Sequence, residues 1–467
     1  MCGIAGYLTK ENIDSSFFIE KAVDSLKHRG PDEYGNFIDS KTCLLNTRLS
    51  IIDLANGSQP FISDDGSKIV VQNGEIYNYL ELKDELVKKG INFKTNSDTE
   101  VILKAYEFYG EECFSKLNGM FAIAILDNKK NELLLCRDRL GVKPLYLYTE
   151  SSSIYFSSEI KTFLDIPSFD KTINKQSVHN YLKFNYIPLP QTIFKCVEHV
   201  NPGHFLKLCT DTLSFTSTQY WDIENKEEID IDEKELLDQM DTVLNNAIDI
   251  RLRSDVGIGA FLSGGLDSSL ICSMVKKNFN ISLDSYTIGF PEKRFDESSW
   301  AKKVAEYSGI PNNVSVLDAD IVSLWSTTTW FNDQPHGDIS FIPTFYLSQF
   351  SSKQYKVVFT GDGGDEACAG YTKYFSIFND SLDEYFNNIS LIKDDAEYNY
   401  LYTEEFKNGL DFDQPKDIFI KTLEKVSNKD DINKILYFDT KQLLPGNNLV
   451  KPDKMAMANS LETRSPM

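Results

Sequence analysis

The arrangement of apolar segments changes in kind along the chain, and this change limits the folds it can adopt. In the first part, the runs GIAGYL, LSIIDL, KIVVQNGEI, FAIAILD and ELLLCRD predict strands, whereas residues 79–89 and 98–109 have helical periodicity. Further on, the strand-like runs VGIGAFL, LDSYTIGF and KVVFTG are separated by helical segments, which is typical of a parallel α/β sheet. We therefore expect an α+β domain at residues 1–205 and an α/β domain at residues 206–467.

Length and charge agree with this division and exclude some functions. A chain of 467 residues exceeds the size at which one hydrophobic core keeps growing. Its 48 Lys and Arg against 70 Asp and Glu give a net charge of −22, which disfavours binding to nucleic acid or to an anionic membrane. No apolar run approaches the roughly 18 to 20 residues of a membrane span, and no signal-peptide pattern begins the chain. We expect a cytoplasmic protein that binds neither nucleic acid nor membrane.

Three further segments bear on the organisation of the chain. The acidic stretch ENKEEIDIDEKE, residues 224–235, predicts a solvated linker that leads into the helix DEKELLDQMDTVLNNAIDIRLRS. Residues 379–444 are rich in Asp, Asn, Lys and Tyr and are expected to be helical. The eight cysteines are scattered without a CxxC pair, so most should be small buried hydrophobic residues.

Cys2 is the exception, because removal of the initiator methionine would make it the amino terminus. An α-amine titrates near pH 7.7–8.0 (about 8) and can therefore serve as the base for its own thiol. A thiolate that attacks a carboxamide needs oxyanion donors. Asn73 and Gly74 in QNGEIYN offer a side-chain amide beside a flexible backbone N–H, although an Asn-Gly pair is also a common hairpin turn.

A free amino acid as substrate also needs two opposite charges held apart. Arg48 in TRLSIID suits an α-carboxylate through its planar guanidinium, and Asp98 in NSDTE, together with Glu75, suits an α-ammonium. Each has an ordinary structural explanation as well, since Arg48 could form a surface ion pair and SDTE could be a capping box. We therefore interpret these residues together with the ordered motifs in which they occur.

The motifs MCGIAG, HRGPDEYG, TRLSIIDL, NGEIYNY, SDTEVIL, LNGMFAIAILD and RDRLGVKPLYLY occur in this order. Over about the first 205 residues, the series resembles the class II glutamine amidotransferases, which have an N-terminal-nucleophile (Ntn) fold. The resemblance implies a site that releases glutamate and ammonia, with Cys2 as nucleophile and an oxyanion hole formed by Asn73 and Gly74. The residues implied to hold glutamine are Arg48, Ile52, Asn73, Glu75 and Asp98. The segment RDRLGVKPLYLY, residues 137–148, is expected to be structural and to face the second domain.

The second domain carries a phosphate-binding pattern. The strand VGIGAFL is followed by Ser263-Gly264-Gly265-Leu266-Asp267-Ser268 and an apolar helix, so that backbone N–H groups and the helix dipole face an anion. The loop is neither a Walker A motif nor a GxGxxG fingerprint. It resembles the pyrophosphate loop of the ATP pyrophosphatases.

A second, acidic loop follows the strand KVVF. Thr360-Gly361-Asp362-Gly363-Gly364-Asp365-Glu366 places carboxylates at the carboxyl end of a strand, where open α/β sheets bind ligands. Asp267 and Asp365 could share a Mg²⁺ ion, which prefers a few carboxylates together with phosphate oxygens.

The combination of SGGLDS, YTIGF, GDGGDEACAGY and LLPGNNLVKPDKMAMANSLETRSP resembles the synthetase domain of glutamine-hydrolysing asparagine synthetases. The resemblance implies that ATP is bound by Leu262, Ser263, Gly264, Gly265, Asp267, Ser268, Ile288, Thr360 and Gly361. It assigns Asp362 to the formation of a β-aspartyl adenylate. Thr360 stands where the family usually has Ser, so a hydroxyl is retained.

The resemblance implies glutamine, aspartate and MgATP as substrates, and asparagine, AMP and pyrophosphate as products. Two alternatives stay open: another acceptor, such as a sugar acid or a peptide-like acid, and a chain that retains only glutaminase or binding activity. A homodimer is one option for its assembly. The family runs on beyond SLETRSPM and brings a lysine that Lys451 and Lys454 do not match, so a truncated domain with poor amide synthesis is expected.

Overall fold

In the computed structural model, the described residues are 2–223, 231–279, 281–318, 320–378, 381–393 and 395–467. Most of the predicted acidic linker, residues 224–230, lies outside the described residues. The helix predicted after it is present as Glu233–Arg251.

The first half consists mainly of strands. They are β1 (Cys2–Thr9), β2 (Glu33–Ile38), β3 (Thr42–Arg48), β4 (Phe61–Ile62), β5 (Lys68–Ile76), β6 (Gly119–Asp127), β7 (Glu132–Arg137), β8 (Tyr146–Thr149), β9 (Ser153–Ser157), β10 (Val197–His199), β11 (His204–Cys209) and β12 (Phe215–Gln219). The helices are α1 (Ser15–Leu26), α2 (Tyr79–Lys88), α3 (Asp98–Tyr109), α4 (Cys113–Lys116) and α5 (Lys175–Phe184), with 3-10 turns at Gly110–Glu112 and Ile160–Phe163.

Among the described residues, these strands form two antiparallel sheets, ordered β10-β8-β9-β1-β3-β2 and β12-β11-β7-β6-β5-β4. Apolar side chains from both sheets, such as Ile4, Leu44, Val71 and Leu135, pack together between them. Helix α1 covers the outer face of the first sheet, and α2 and α3 cover that of the second. The predicted Ntn-type sandwich is confirmed, and its second sheet extends to Gln219, beyond the boundary expected at residues 205/206.

The predicted strand LSIIDL is wrong, because residues 49–54 form a loop after β3. Leu49, Ile51 and Ile52 instead pack into a buried cluster with second-half residues such as Ile258 and Met457. The apolar character of this segment therefore comes from contact between the two halves and not from a place in a sheet.

The second half contains a sheet flanked by helices. The strands are β13 (Ile258–Phe261), β14 (Ser285–Gly289), β15 (Asn312–Val316), β16 (Val357–Phe359) and β17 (Glu462–Arg464). The helices are α6 (Glu233–Arg251), α7 (Leu266–Phe279), α8 (Ser298–Ser308), α9 (Ile321–Asn332), α10 (Phe341–Ser351), α11 (Gly364–Cys368), α12 (Leu382–Ile389), α13 (Asp395–Leu401), α14 (Glu404–Lys407), α15 (Gln414–Glu424), α16 (Asp431–Phe438) and α17 (Val450–Met457), with a 3-10 helix at Thr372–Phe378 and a π-helix at Asp439–Asn448.

The five strands of this sheet are all parallel and follow the order β15-β14-β13-β16-β17. The predicted α/β domain is confirmed, as is the helical character of residues 379–444 in the part of that range that the structure describes. No helix within the described ranges is long and apolar enough to cross a membrane.

Buried ion pairs join the two halves. Arg29 donates to Glu159 at 3.1 Å and to Asp453 of α17 at 2.9 Å, and Lys143 donates to the other oxygen of Asp453 at 3.0 Å. Arg29, Lys143 and Asp453 are each at most 1% exposed. The segment 137–148 therefore faces the second half through Lys143, which confirms that prediction.

A second group of charges lies beside the first. Lys161 and Lys454 contact the two oxygens of Asp333 at 2.7 and 2.6 Å, and Lys161 also contacts Glu159. Asp333 accepts hydrogen bonds from the backbone N–H groups of Ile160 and Lys161 at 3.0 and 3.1 Å. Because Lys161 of the first half pairs with Asp333 of the second half, this group adds to the Asp453 ion pairs that join the two halves.

Replacing Asp453 with Ala would leave Arg29 and Lys143 buried without a shared carboxylate. Removal of one partner from a buried ion pair costs about 3–5 kcal/mol, so we expect the free energy of unfolding to fall by that amount. Urea denaturation followed by fluorescence and circular dichroism measures it. The control is Asp383→Ala, since Asp383 is 73% exposed and pairs with Lys416 at the surface, where less than about 1 kcal/mol is expected. Equal effects of the two variants would contradict this account.

Candidate active sites

Cys2 begins strand β1 and is buried between β3 and β5. Its backbone N–H donates to Asn73 Oδ1 at 3.2 Å, and in the β1–β3 register it lies opposite Arg48. Burial raises the pKa of the Cys2 thiol, against the lowering effects of the amino-terminal charge, a hydrogen bond from the Leu49 backbone and one from the Asn46 side chain. These groups favour the thiolate at a position that burial alone would disfavour.

The expected oxyanion donors lie in β5, which also contacts β1. Asn73 is fully buried, and its Nδ2 donates to Ser158 Oγ at 3.4 Å. Gly74 has a φ of +137°, and a Cβ there would approach the Met120 carbonyl oxygen to 2.0 Å. Only glycine fits this close pairing with β6, so the backbone at residue 74 is fixed beside the Cys2 site.

Arg48 is held by the loop that follows β3. Its Nη2 donates to the carbonyl oxygens of Ile52 and Asp53 at 3.1 and 2.9 Å. Its Nη1 lies 2.5 Å from Glu33 Oε1, so this face of the guanidinium already binds a carboxylate. A substrate carboxylate at Arg48 has to share it with Glu33 or displace that side chain, which is 38% exposed.

Asp98 is the first residue of α3 and points back to β5. Its Oδ2 accepts from Gln72 Nε2 at 2.9 Å and from the Ile76 N–H at 3.0 Å. Burial raises its pKa, although these hydrogen bonds act in the opposite direction. Asp98 is therefore a fixed, buried carboxyl group next to the strand that carries Glu75.

Glu75 lies where the two halves meet. Its Oε2 is 3.9 Å from Arg464 Nη2 of β17. Burial raises the pKa of Glu75 well above its ordinary value, and the charges of Glu462 and Asp98 raise it further, while Arg464 opposes the shift. The carboxyl group expected to hold the glutamine ammonium is thus also a contact to the second half.

The raised pKa of Glu75 predicts a pH dependence of glutamine binding. A raised pKa keeps the carboxyl neutral at low pH, so the anion that attracts an ammonium forms only as the pH rises through the raised value. Binding to a Cys2→Ala variant, measured by calorimetry from pH 5 to 9, should therefore tighten with rising pH. Adding Glu75→Gln should weaken binding about tenfold or more and reduce this dependence.

The matched control for this experiment is Glu85→Gln, in the same Cys2→Ala background. Glu85 lies partly exposed on α2, and its hydrogen bonds to Lys89 and Tyr109 lower its pKa to about 2, below the range of the titration. Its replacement should leave the pH dependence unchanged. An unchanged dependence in the Glu75→Gln variant would show that Glu75 does not bind the ammonium.

The predicted phosphate loop connects β13 with α7. Ser263 Oγ accepts from the Gly265 N–H at 3.1 Å and contacts Ser268 Oγ at 3.0 Å, which closes the loop on itself. Gly264 has a φ of +87°, and a Cβ there would lie 2.6 Å from the Ala301 backbone nitrogen. The two constraints keep the loop tight at the start of α7.

The acidic loop packs directly on the phosphate loop. A Cβ at Gly361 would come within 2.9 Å of the Ser268 backbone nitrogen, and Thr360 Oγ1 contacts Ser465 Oγ at 2.7 Å. Together the two loops border a cavity of about 680 Å³. The predicted site residues that line it are Leu262, Ser263, Gly265, Asp267, Ser268, Ile288, Thr360, Gly361, Asp362 and Asp365; Gly264 is not among the lining residues.

The carboxylates of this cavity are close enough to affect one another. Burial raises the pKa of Asp267, and the charges of Asp365, Glu366 and Asp362 raise it further. The pKa of Asp365 is raised by burial and by Glu366. A divalent cation between Asp267 and Asp365 would relieve this repulsion, so the donor set fits Mg²⁺ with phosphate oxygens as further ligands. Within the described ranges, no group of three or more His, Cys, Asp or Glu forms a metal site of its own.

Some contacts at the two sites were not assigned from the sequence. Arg29, whose Nε donates to the Cys2 carbonyl oxygen at 3.1 Å, and Arg464 both lie within the quoted motifs, which offered a signal. Asn46 and Ser158 lie outside the quoted motifs, so the sequence offered no signal for their contacts. Lys451 lines the nucleotide cavity although the motif comparison assigned it no role.

The sandwich with its buried Cys2 site, fused to a parallel sheet with a phosphate loop, defines a glutamine amidotransferase joined to a synthetase of the ATP-pyrophosphatase type. A family model described as "Glutamine amidotransferase domain" matches residues 1–221, and one described as "Asparagine synthase" matches residues 239–467.

Individual relatives agree with both models. The chain is 33% identical over 508 residues to "Asparagine synthetase [glutamine-hydrolyzing] 1" of Bacillus subtilis, covering 100% of this chain and 79% of the relative. It is 37% identical over 401 residues to "Putative asparagine synthetase [glutamine-hydrolyzing] 2" of Methanocaldococcus jannaschii, covering 80% and 76%. "Amidase chry2" of Gibberella zeae is 31% identical over 417 residues, covering 82% and 61%. The chain belongs to the glutamine-hydrolysing asparagine synthetase family, whose members are carbon–nitrogen ligases.

Proposed function

We propose that this protein makes asparagine from aspartate, glutamine and MgATP, with glutamate, AMP and pyrophosphate as the other products. The observation that supports this most directly is the gathering of the phosphate loop and the acidic loop around one cavity, in a chain that also buries Cys2 beside Asn73. The ion pairs of Asp453 support a coupled reaction, because they hold the two halves together.

In the first half-reaction, the Cys2 thiolate attacks the carboxamide carbon of glutamine. The α-amine freed by removal of Met1 accepts the thiol proton. Asn73 Nδ2 and the Gly74 N–H stabilise the oxyanion, while Arg48 binds the substrate carboxylate and Glu75 and Asp98 bind its ammonium. The α-ammonium of Cys2 returns the thiol proton to the amide nitrogen, the C–N bond breaks and ammonia leaves, and water then hydrolyses the thioester to give glutamate and the free thiol.

In the second half-reaction, an oxygen of the acceptor carboxylate attacks the α-phosphorus of ATP and pyrophosphate leaves. The loop from Ser263 to Ser268 binds the phosphates, Leu262 and Ile288 flank the adenine, and Thr360 and Gly361 contact the adenosine. Asp267 and Asp365 would hold Mg²⁺, which neutralises phosphate charge when bound. Ammonia from the first site then displaces AMP, and it has to arrive without exposure to bulk water, where it would be protonated.

The acceptor is the least constrained part of this proposal, because the motifs do not specify it. The relative named "Amidase chry2" favours keeping a second candidate, amidation of another carboxylic acid such as a sugar acid or a peptide-like acid. Both candidates use the same two half-reactions and differ only in the acid that is activated.

Replacing Cys2 with Ala should abolish glutamine-dependent asparagine formation and leave ammonia-dependent formation near its original rate. Only the first site needs a thiolate, whereas free ammonia can reach the adenylate directly. The measurement is asparagine formed from aspartate and MgATP, with either glutamine or an ammonium salt as nitrogen source.

Two outcomes of this experiment would change the assignment. Retained glutaminase activity in the Cys2→Ala variant would exclude Cys2 as the nucleophile. Pyrophosphate release by the unaltered chain with another carboxylic acid, but not with aspartate, would replace asparagine by the amide of that acid.

Replacing Asp267 or Asp365 with Asn should remove acceptor-dependent pyrophosphate release, because each change weakens binding of Mg²⁺ and phosphate. Basal glutaminase activity should remain, since both residues lie in the second half. A phosphate-release assay with pyrophosphatase measures the first activity, and glutamate formation measures the second. Undiminished pyrophosphate release in both variants would refute the metal assignment.

A further inference from the structure

Lys451 is the one lysine or arginine among the described residues that line the nucleotide cavity. The same lining contains four carboxylates, those of Asp267, Asp362, Asp365 and Glu297. An anionic ligand entering this cavity meets strong repulsion unless cations compensate for it. A protein ammonium at this place is therefore a candidate ligand-binding group.

Two neighbours hold the Lys451 side chain. Its Nζ donates to Ser340 Oγ at 3.0 Å and lies 3.4 Å from Asp338 Oδ2. An ammonium has three N–H donors, so these two contacts leave one donor available at the cavity. The side chain is only 17% exposed, so water screens its charge weakly.

The helix that carries Lys451 is anchored on its other side. Asp453 binds Arg29 and Lys143, and Lys454 binds Asp333, all through buried contacts. The Lys451 backbone is thus fixed two residues from an ion network that does not depend on the nucleotide. A charge held in place before the ligand arrives costs little reorganisation during the reaction.

The environment of Asp362 supports the same placement. Burial raises the pKa of Asp362, and the nearby charge of Lys451 opposes this rise. Lys451 therefore lies close to the acid that the family resemblance connects with adenylate formation. The family resemblance gave Lys451 no role, because Lys451 lies before LETRSP whereas the family lysine belongs to the segment that follows it.

We propose that Lys451 binds the oxyanion at which acceptor and nucleotide meet, either the acceptor carboxylate or the α-phosphate, and that Asp338 and Ser340 position it. The inference rests on the proposed function. In that step a carboxylate oxygen bonds to the α-phosphorus, and the bond from that phosphorus to pyrophosphate breaks, with its electron pair leaving on pyrophosphate. Lys451 transfers no proton; its ammonium stabilises the negative charge of the reacting group.

Lys451→Met removes the charge at nearly constant length, and Lys451→Arg retains it. The Met variant should lower kcat/KM for acceptor-dependent pyrophosphate release by about 10²–10³, by analogy with the loss of one oxyanion donor. The Arg variant should recover a large part of that loss. Lys302→Met is the matched control, since Lys302 is 71% exposed on α8 and lies 4.0 Å from Glu306, and it should behave like the unaltered chain.

Two measurements distinguish the two oxyanions. Calorimetry with Mg²⁺ and α,β-methylene ATP reports nucleotide binding, and the KM for the acceptor reports carboxylate binding. Weaker analogue binding by the Met variant assigns Lys451 to the phosphate, whereas a raised acceptor KM with unchanged analogue binding assigns it to the carboxylate. A lower melting temperature with both constants unchanged would mean that Lys451 only balances Asp338 and Asp362, and would overturn the proposal.

Failure of the proposed function has a different signature. In that case, the unaltered chain would release no pyrophosphate with aspartate or any other acid offered. Binding of the ATP analogue then decides the role of Lys451 by itself. Equal affinities of the unaltered chain and the Met variant would overturn the proposal, and a weaker affinity of the Met variant would support it.

Discussion

The guanidinium group of Arg29 links the nucleophile to the second half of the chain. It is fully buried and donates to the Cys2 carbonyl oxygen, to Glu159 and to Asp453 at 3.1, 3.1 and 2.9 Å. Burial lowers the pKa of Arg29, but the two carboxylates more than reverse this effect, so the group stays charged. Since a buried charge without partners is very costly, the start of β1, the segment at Glu159 and helix α17 have to assemble together.

Helix α17 consequently serves both sites. Asp453 accepts a hydrogen bond from Arg29 of the first half, and Lys454 donates to the Ser158 carbonyl oxygen of the first half at 3.4 Å. Lys451 borders the nucleotide cavity, and Met455 and Met457 are fully buried. The geometry of the nucleotide cavity and that of Cys2 therefore share one rigid element of two turns.

Local sequence patterns correctly predicted strands and helices in which the apolar residues repeat with the period of that strand or helix. Strand β5 agrees with the run KIVVQNGEI at both ends, and α3 agrees with the predicted helix 98–109. The run LSIIDL failed because its apolar side chains pack on the second half, and local alternation cannot distinguish that contact from a place in a sheet. The same ambiguity affects any apolar loop at a domain interface.

The contacts of the candidate sites show where the limit of sequence reasoning lies. Cys2, Gly74 and Asp267 could be assigned roles from their motifs. Arg464 also lies within a motif, but its contacts follow from a three-residue strand, β17, which is too short to have a readable period. Its parallel pairing with β16 brings Arg464 within 3.9 Å of Glu75, and the next residue, Ser465, contacts Thr360 at 2.7 Å. Arg464 thus contacts Glu75, the carboxyl group assigned to the glutamine ammonium. The adjacent residue, Ser465, contacts the Thr360 hydroxyl assigned to adenosine. The pairing of β16 with β17 connects residues about a hundred positions apart, and it therefore places one contact of each candidate site on adjacent residues.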